Sequence, residues 1–207
     1  MNISGEKIKS IAAELKAHAP FTLFGALTGI VLMLIFKNLA AKITLTLFYV
    51  FHPAHVTLSA MVTSSLLKLH RKNANFLLVL VIGYIGSLGI ATISDSLIPY
   101  VGEVLLGLHA HSHIGFIEGW YVVNPAAVLG VLIAWFWPRT KFPHAGHVLL
   151  STWASSFHIL MALGSGISIF VGVMIFVFLF IAVWLPCCFS DIVFPLLFAG
   201  DKVKYQQ

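Results

Sequence analysis

A chain of 207 residues that is 59% hydrophobic and 9% charged, with a mean hydropathy of +0.99, is excluded from the ordinary soluble class, in which about 25% of residues are charged. The net charge of +5 does not point to nucleic acid, because the lysines and arginines lie in short segments between apolar runs rather than in one basic patch. The composition is that of an integral membrane protein, and no polar stretch is long enough for a separate soluble domain.

Residues 1–19 hold Lys7, Lys9, Lys16, Glu6 and Glu14, with Ile8, Ile11, Ala12 and Leu15 at helical spacing. This pattern predicts an amphipathic helix at the membrane surface rather than a signal peptide. Six apolar stretches follow, at 20–36, 43–69, 75–93, 122–137, 144–164 and 166–186, each near the roughly 20 residues that a bilayer crossing needs. They divide the chain into a first three-helix unit (20–101), a His-containing connector (102–121), a second three-helix unit (122–198) and a tail (199–207). Lys7, Lys9, Lys16, Lys68, Arg71, Lys72, Arg139, Lys141, Lys202 and Lys204 then fall on one side, which the positive-inside rule makes cytoplasmic together with both termini. Lys37 and Lys42 are the two exceptions.

The two units repeat each other. His52-Pro-Ala-His55-Val-Thr-Leu-Ser59 returns as His144-Ala-Gly-His147-Val-Leu-Leu-Ser151, and Ser94-Asp95-Ser-Leu-Ile-Pro99 as Ser190-Asp191-Ile-Val-Phe-Pro195. Gly29-Ile-Val-Leu also matches Gly130-Val-Leu-Ile. Three spans per unit force opposite orientations, so the fold expected is all-α, with six transmembrane helices in two inverted three-helix repeats. Such repeats are typical of transporters, whose substrate sites lie where the halves meet. Pro99, Pro186 and Pro195 predict broken or re-entrant helices near the aspartates, tolerated at membrane depth only beside a cavity. Pro53 suits a first helical position, which would put His52 at a helix start.

Intramembrane ionisable groups are rare unless used. A single buried histidine ordinarily finds an interhelical hydrogen bond, but two matched pairs, each trailed by an aspartate, fit metal ligation better. Histidines three apart share a helical face, so His52, His55 and Asp95 form one expected ligand trio, and His144, His147 and Asp191 the other. The trios either converge on one site or mark two gates. Imidazole with carboxylate suits zinc or iron first, then manganese, cobalt or nickel, while calcium and magnesium prefer all-oxygen shells.

Accessory candidates are Glu103, His109, His111 and His113 in and beside the connector, His158 on the face of His147, and Cys187 and Cys188 near Asp191. An extended strand would put the three alternating connector histidines on one side. Ser59, Ser64, Ser151 and Ser155 are placed to line a polar pathway, although small hydroxyl residues also allow close helix packing. The reading that follows is a transporter or channel for a divalent transition metal, coupled to protons because protonation of the ligands releases the ion. The alternatives are an intramembrane metal-dependent hydrolase or oxidase using the same trio, and haem binding through facing histidines. Expected partners are the metal ion and the lipid bilayer, with a homo-oligomer as a further option and no nucleic acid.

Overall fold

The computed structural model describes residues 5–111, 113–163, 168–189 and 193–198. Among the described residues the chain is all helical, without strands. Helix α1 runs Gly5–Phe36, α2 Ala41–His70 and α3 Phe76–Thr92. A π-helical turn, Ile93–Leu97, then leads directly into α4, Ile98–Leu105. The short α5, Gly115–Glu118, lies in the connector, followed by α6 (Trp120–Phe136), α7 (Lys141–Ala162), α8 (Ile169–Cys188) and α9 (Phe194–Leu197).

Four helical stretches are long and apolar enough to cross a membrane: Ala19–Phe36, Ala41–His70, Phe76–Leu105 and Ile169–Cys187. Their outward faces carry large apolar side chains, such as Phe24, Leu27 and Val31 on α1 and Phe170, Val173 and Ile181 on α8. An apolar surface of this kind is consistent with a membrane protein. The apolar helix α6 is shorter, at 17 residues. Helix α7 has 22 residues and, like α2, carries histidines and hydroxyls, almost all of them buried. It is an interior helix, packed against α1, α2 and α8.

Three expectations about local structure come out differently. Residues from Gly5 onward are one helix with the first apolar stretch, passing Pro20 without interruption. Pro53 lies inside α2 rather than at its start, so His52 is an interior helical residue. No break occurs at Pro99; the backbone instead widens into the π turn at Ile93–Leu97, just before it, and stays helical to Leu105. Phe189 and Val193, the counterparts of Ile93 and Leu97 in the second repeat unit, are also π-helical. Asp191 lies outside the described residues.

The helix pairings are alike in the two halves. Helix α1 packs on α7 and α8, as α6 packs on α2 and α3. A side chain on Gly29 of α1 would strike Thr152 and Ser156 of α7, and one on Gly130 of α6 would strike the Thr57 carbonyl and Ala60 of α2. Thr152 and Ala60 each lie five residues after the second histidine of their pair. At one end of the bundle Tyr49 donates to Glu118 at 3.0 Å, so the connector closes over the start of α2. At the other end the Arg139 N–H reaches Ser65 (3.1 Å) and the Arg71 guanidinium reaches the Phe198 carbonyl (3.0 Å).

Candidate metal centre

Asp95 sits at the middle of the π turn, and the turn has a local cause. In a π helix each carbonyl accepts from the N–H five residues on, and the Ile98 N–H does donate to the Ile93 carbonyl. The Ser94 carbonyl would need residue 99, which is proline and has no N–H. The Ser155 hydroxyl of α7 supplies that place at 3.0 Å, sharing its proton with the Ser151 carbonyl at 2.8 Å. A helix that could not satisfy itself in lipid is thus closed by its neighbour. The extra residue in the turn carries the Asp95 carboxyl toward α2 and α7.

The carboxyl group of Asp95 is saturated. Its Oδ2 lies 2.9 Å from His52 Nδ1 and 2.7 Å from His55 Nδ1. Its Oδ1 accepts from the Ser94 and Ser151 hydroxyls, each at 2.7 Å. All five residues are buried. A carboxylate only accepts, so both imidazoles donate Nδ1–H to it, and a neutral ring held in this way keeps its lone pair on Nε2. Both Nε2 atoms are buried without a hydrogen-bond partner. The separations of 2.7 and 2.9 Å are hydrogen-bond lengths. Two ligands on one tetrahedral zinc would stand about 3.4 Å apart, from bonds of about 2.0–2.1 Å. In this geometry Asp95 orients two histidines rather than sharing an ion with them through the same atoms.

The second half reaches the same place. The His147 ring stacks on His55 with centroids 5.7 Å apart and planes 13° apart. Its Nδ1 lies 3.3 Å from the Pro143 carbonyl, and the His144 ring stands 5.0 Å away, edge to face. Buried Cys187 of α8 completes a group in which one atom each of His55, His147 and Cys187 all lie within 4.8 Å of one another. His52, His55 and Asp95 form a second group by the same measure. His55 belongs to both, so the first trio is assembled and the histidine pair of the other repeat unit abuts it. Of the adjacent cysteines, Cys187 faces this cluster and Cys188 ends α8.

The accessory residues separate. Glu103 and His158 pair at 2.8 Å, both buried. His113 bonds Glu118 at 2.9 Å in the connector, while His109 and His111 are exposed, so the three connector histidines do not act as one face. Partial burial pushes the Glu118 carboxyl up, but hydrogen bonds from His113, Tyr49 and the Ile114 N–H outweigh it and hold it below the usual range. Ser151 and Ser155 are engaged by the π turn, whereas Ser59 and Ser64 are buried with hydroxyls that meet no partner.

Two residues that sequence reasoning passed over shape the site. Phe48 stacks on His52 with centroids 5.1 Å apart, and its position one helical turn before His52 was a usable signal. Gly115 lies so close to His52 Nε2 that any side chain there would collide with it, and nothing in the sequence singles it out. Comparison with known protein families, curated proteins and solved structures gives no match.

Proposed function

We propose that this protein is a small secondary transporter or channel for a divalent transition metal ion, zinc or iron first, built as six spans in two inverted three-helix repeats. The observation that carries the reading is the position of His55. It is held by Asp95 on one side and lies against His147 and Cys187 of the other repeat unit on the other. Two imidazoles with a thiolate suit zinc, cobalt, nickel or iron and disfavour calcium and magnesium. Asp95 is the positioning residue that keeps His52 and His55 in the tautomer a metal requires.

The repeat reading is supported by the matched approaches of Gly29 to Thr152 and Gly130 to Ala60, and by π-helical residues at corresponding places in both units. Six spans put ten of the twelve basic residues on one side, taken here as cytoplasmic. A site at the meeting of the two halves suits alternating access, since rocking one half against the other parts His55 from His147. Neutral imidazole and thiolate bind the ion, and their protonation releases it, which couples transport to protons without a nucleotide.

Elemental analysis of the purified protein tests this. The expected result is bound zinc or iron that His55→Ala and the double variant His147→Ala/Cys187→Ala both lose while remaining folded. Absence of any transition metal from wild type loaded with zinc or iron contradicts the reading. Turnover of a lipid-borne substrate without ion movement would make the same cluster an enzyme's centre.

A further inference from the structure

The cluster of Glu103 and His158 is not absorbed by the central site. Glu103 lies near the end of α4 and His158 near the end of α7, each 1% exposed. They share one hydrogen bond of 2.8 Å between Glu103 Oε1 and His158 Nδ1. Glu103 Oε2 and His158 Nε2 are buried with no hydrogen-bond partner. The contrast with Asp95 is direct: that carboxyl group receives four donors, and Glu103 receives one. A buried carboxylate left with a bare oxygen is costly, and because the 2.8 Å hydrogen bond turns His158 Nε2 away from Glu103, one ion reaches both side chains only by taking the place of the proton they share.

Its surroundings suit a waiting place rather than a packing contact. The His113 ring covers His158 with centroids 5.8 Å apart, and His113 is tied to partly exposed Glu118. On the inward side is Phe48, fully buried, which meets the His158 ring edge to face at 5.5 Å and stacks on His52 at 5.1 Å. One phenyl ring therefore lies between the two clusters. The backbone fixes Glu103 as well. Gly107 adopts a positive φ of 68°, and the Leu108 N–H returns to the Glu103 carbonyl at 2.9 Å, ending the helix in a Schellman turn.

We infer that Glu103 and His158 form a second cation site at the connector end, where a divalent transition metal ion displaces their shared proton, parts the two side chains slightly and is held with water before it passes Phe48 to the His55 cluster. This rests on the metal reading above and adds a second ion with a different ligand set, oxygen and nitrogen without sulfur.

Titration of the purified full chain with Co²⁺, read by visible absorption and by thiolate-to-cobalt charge transfer in the near ultraviolet, tests it. Wild type is expected to take two equivalents, only one of them producing charge transfer. Glu103→Gln is expected to take one equivalent and keep the charge transfer, and His158→Gln to behave the same. His55→Ala is expected to take one equivalent without charge transfer. Each variant is first checked for a single gel-filtration species with wild-type helicity. Two equivalents retained by both Glu103→Gln and His158→Gln would overturn the outer site alone. Charge transfer and two equivalents retained by His55→Ala would instead overturn the central reading, leaving the outer site to stand or fall on the Glu103 variant.

Discussion

Replacing Asp95 by asparagine changes one atom and tests whether the carboxyl group orients its histidines. It removes the charge from a group that receives His52 and His55 at 2.9 and 2.7 Å and two serine hydroxyls at 2.7 Å. If the amide turns its oxygen to the serines, both rings must accept at Nδ1 and carry their proton on Nε2, where it blocks the metal. If it turns its oxygen to the histidines, a neutral acceptor replaces a carboxylate and each ring becomes a weaker ligand. Loss of a partner that orients metal-binding histidines weakens metal affinity by about 10–100-fold, which is about 1.4–2.7 kcal/mol. Competition titration with a chromophoric zinc chelator reads this directly. The number of ions bound should stay the same while the dissociation constant rises by that factor. Unchanged affinity would refute the orienting role, and complete loss of one ion would make Asp95 a ligand.

Further outcomes follow from the same geometry. Ser155→Ala removes the donor that serves the Ser94 carbonyl beside Pro99, and should lower stability by about 1 kcal/mol, seen as a lower melting temperature in detergent. Gly130→Leu forces a side chain against the Thr57 carbonyl and Ala60 of α2, and should destabilise by about 1–3 kcal/mol or more, whereas Leu129→Ala on the exposed face of α6 should not. The Glu118 carboxyl is held below its usual range, so the contacts it makes with Tyr49, His113 and Ile114 stabilise the connector above the ordinary carboxylate range and are lost as pH falls through its lowered value. Hydrogen exchange at Ile114 should therefore quicken on acidification, and Glu118→Gln should show fast exchange already at neutral pH.

Much of the centre was legible as repetition. The pairing of His52 with His55 followed from their spacing, because residues three apart share a helical face, and Asp95 was singled out by the recurrence of an aspartate after each histidine pair. The manner of the grouping was not legible. Sequence suggested that Pro99 breaks a helix, but a proline removes one donor and crowds the carbonyl four residues back, and a wider turn relieves the crowding. A hydroxyl on a neighbouring helix can replace that donor, so the chain widened into a π turn and continued. Pro53 similarly resembled a helix start, because a local rule about the first turn says nothing of a proline buried among tightly packed helices. The part played by Cys187 depends on how α8 packs near α2 and α7, a long-range relation that no local pattern encodes. Phe48 and Gly115 act by position against His52, and their types are ordinary in any apolar helix or turn.

Uptake of zinc or ferrous iron by proteoliposomes carrying the purified chain, with a pH gradient imposed and a metal-sensing dye inside, tests the central claim most directly. The account predicts saturable uptake that depends on the gradient, is abolished by His55→Ala and is weakened by Asp95→Asn. Uptake no greater than in empty liposomes, or uptake left intact by His55→Ala, would contradict it.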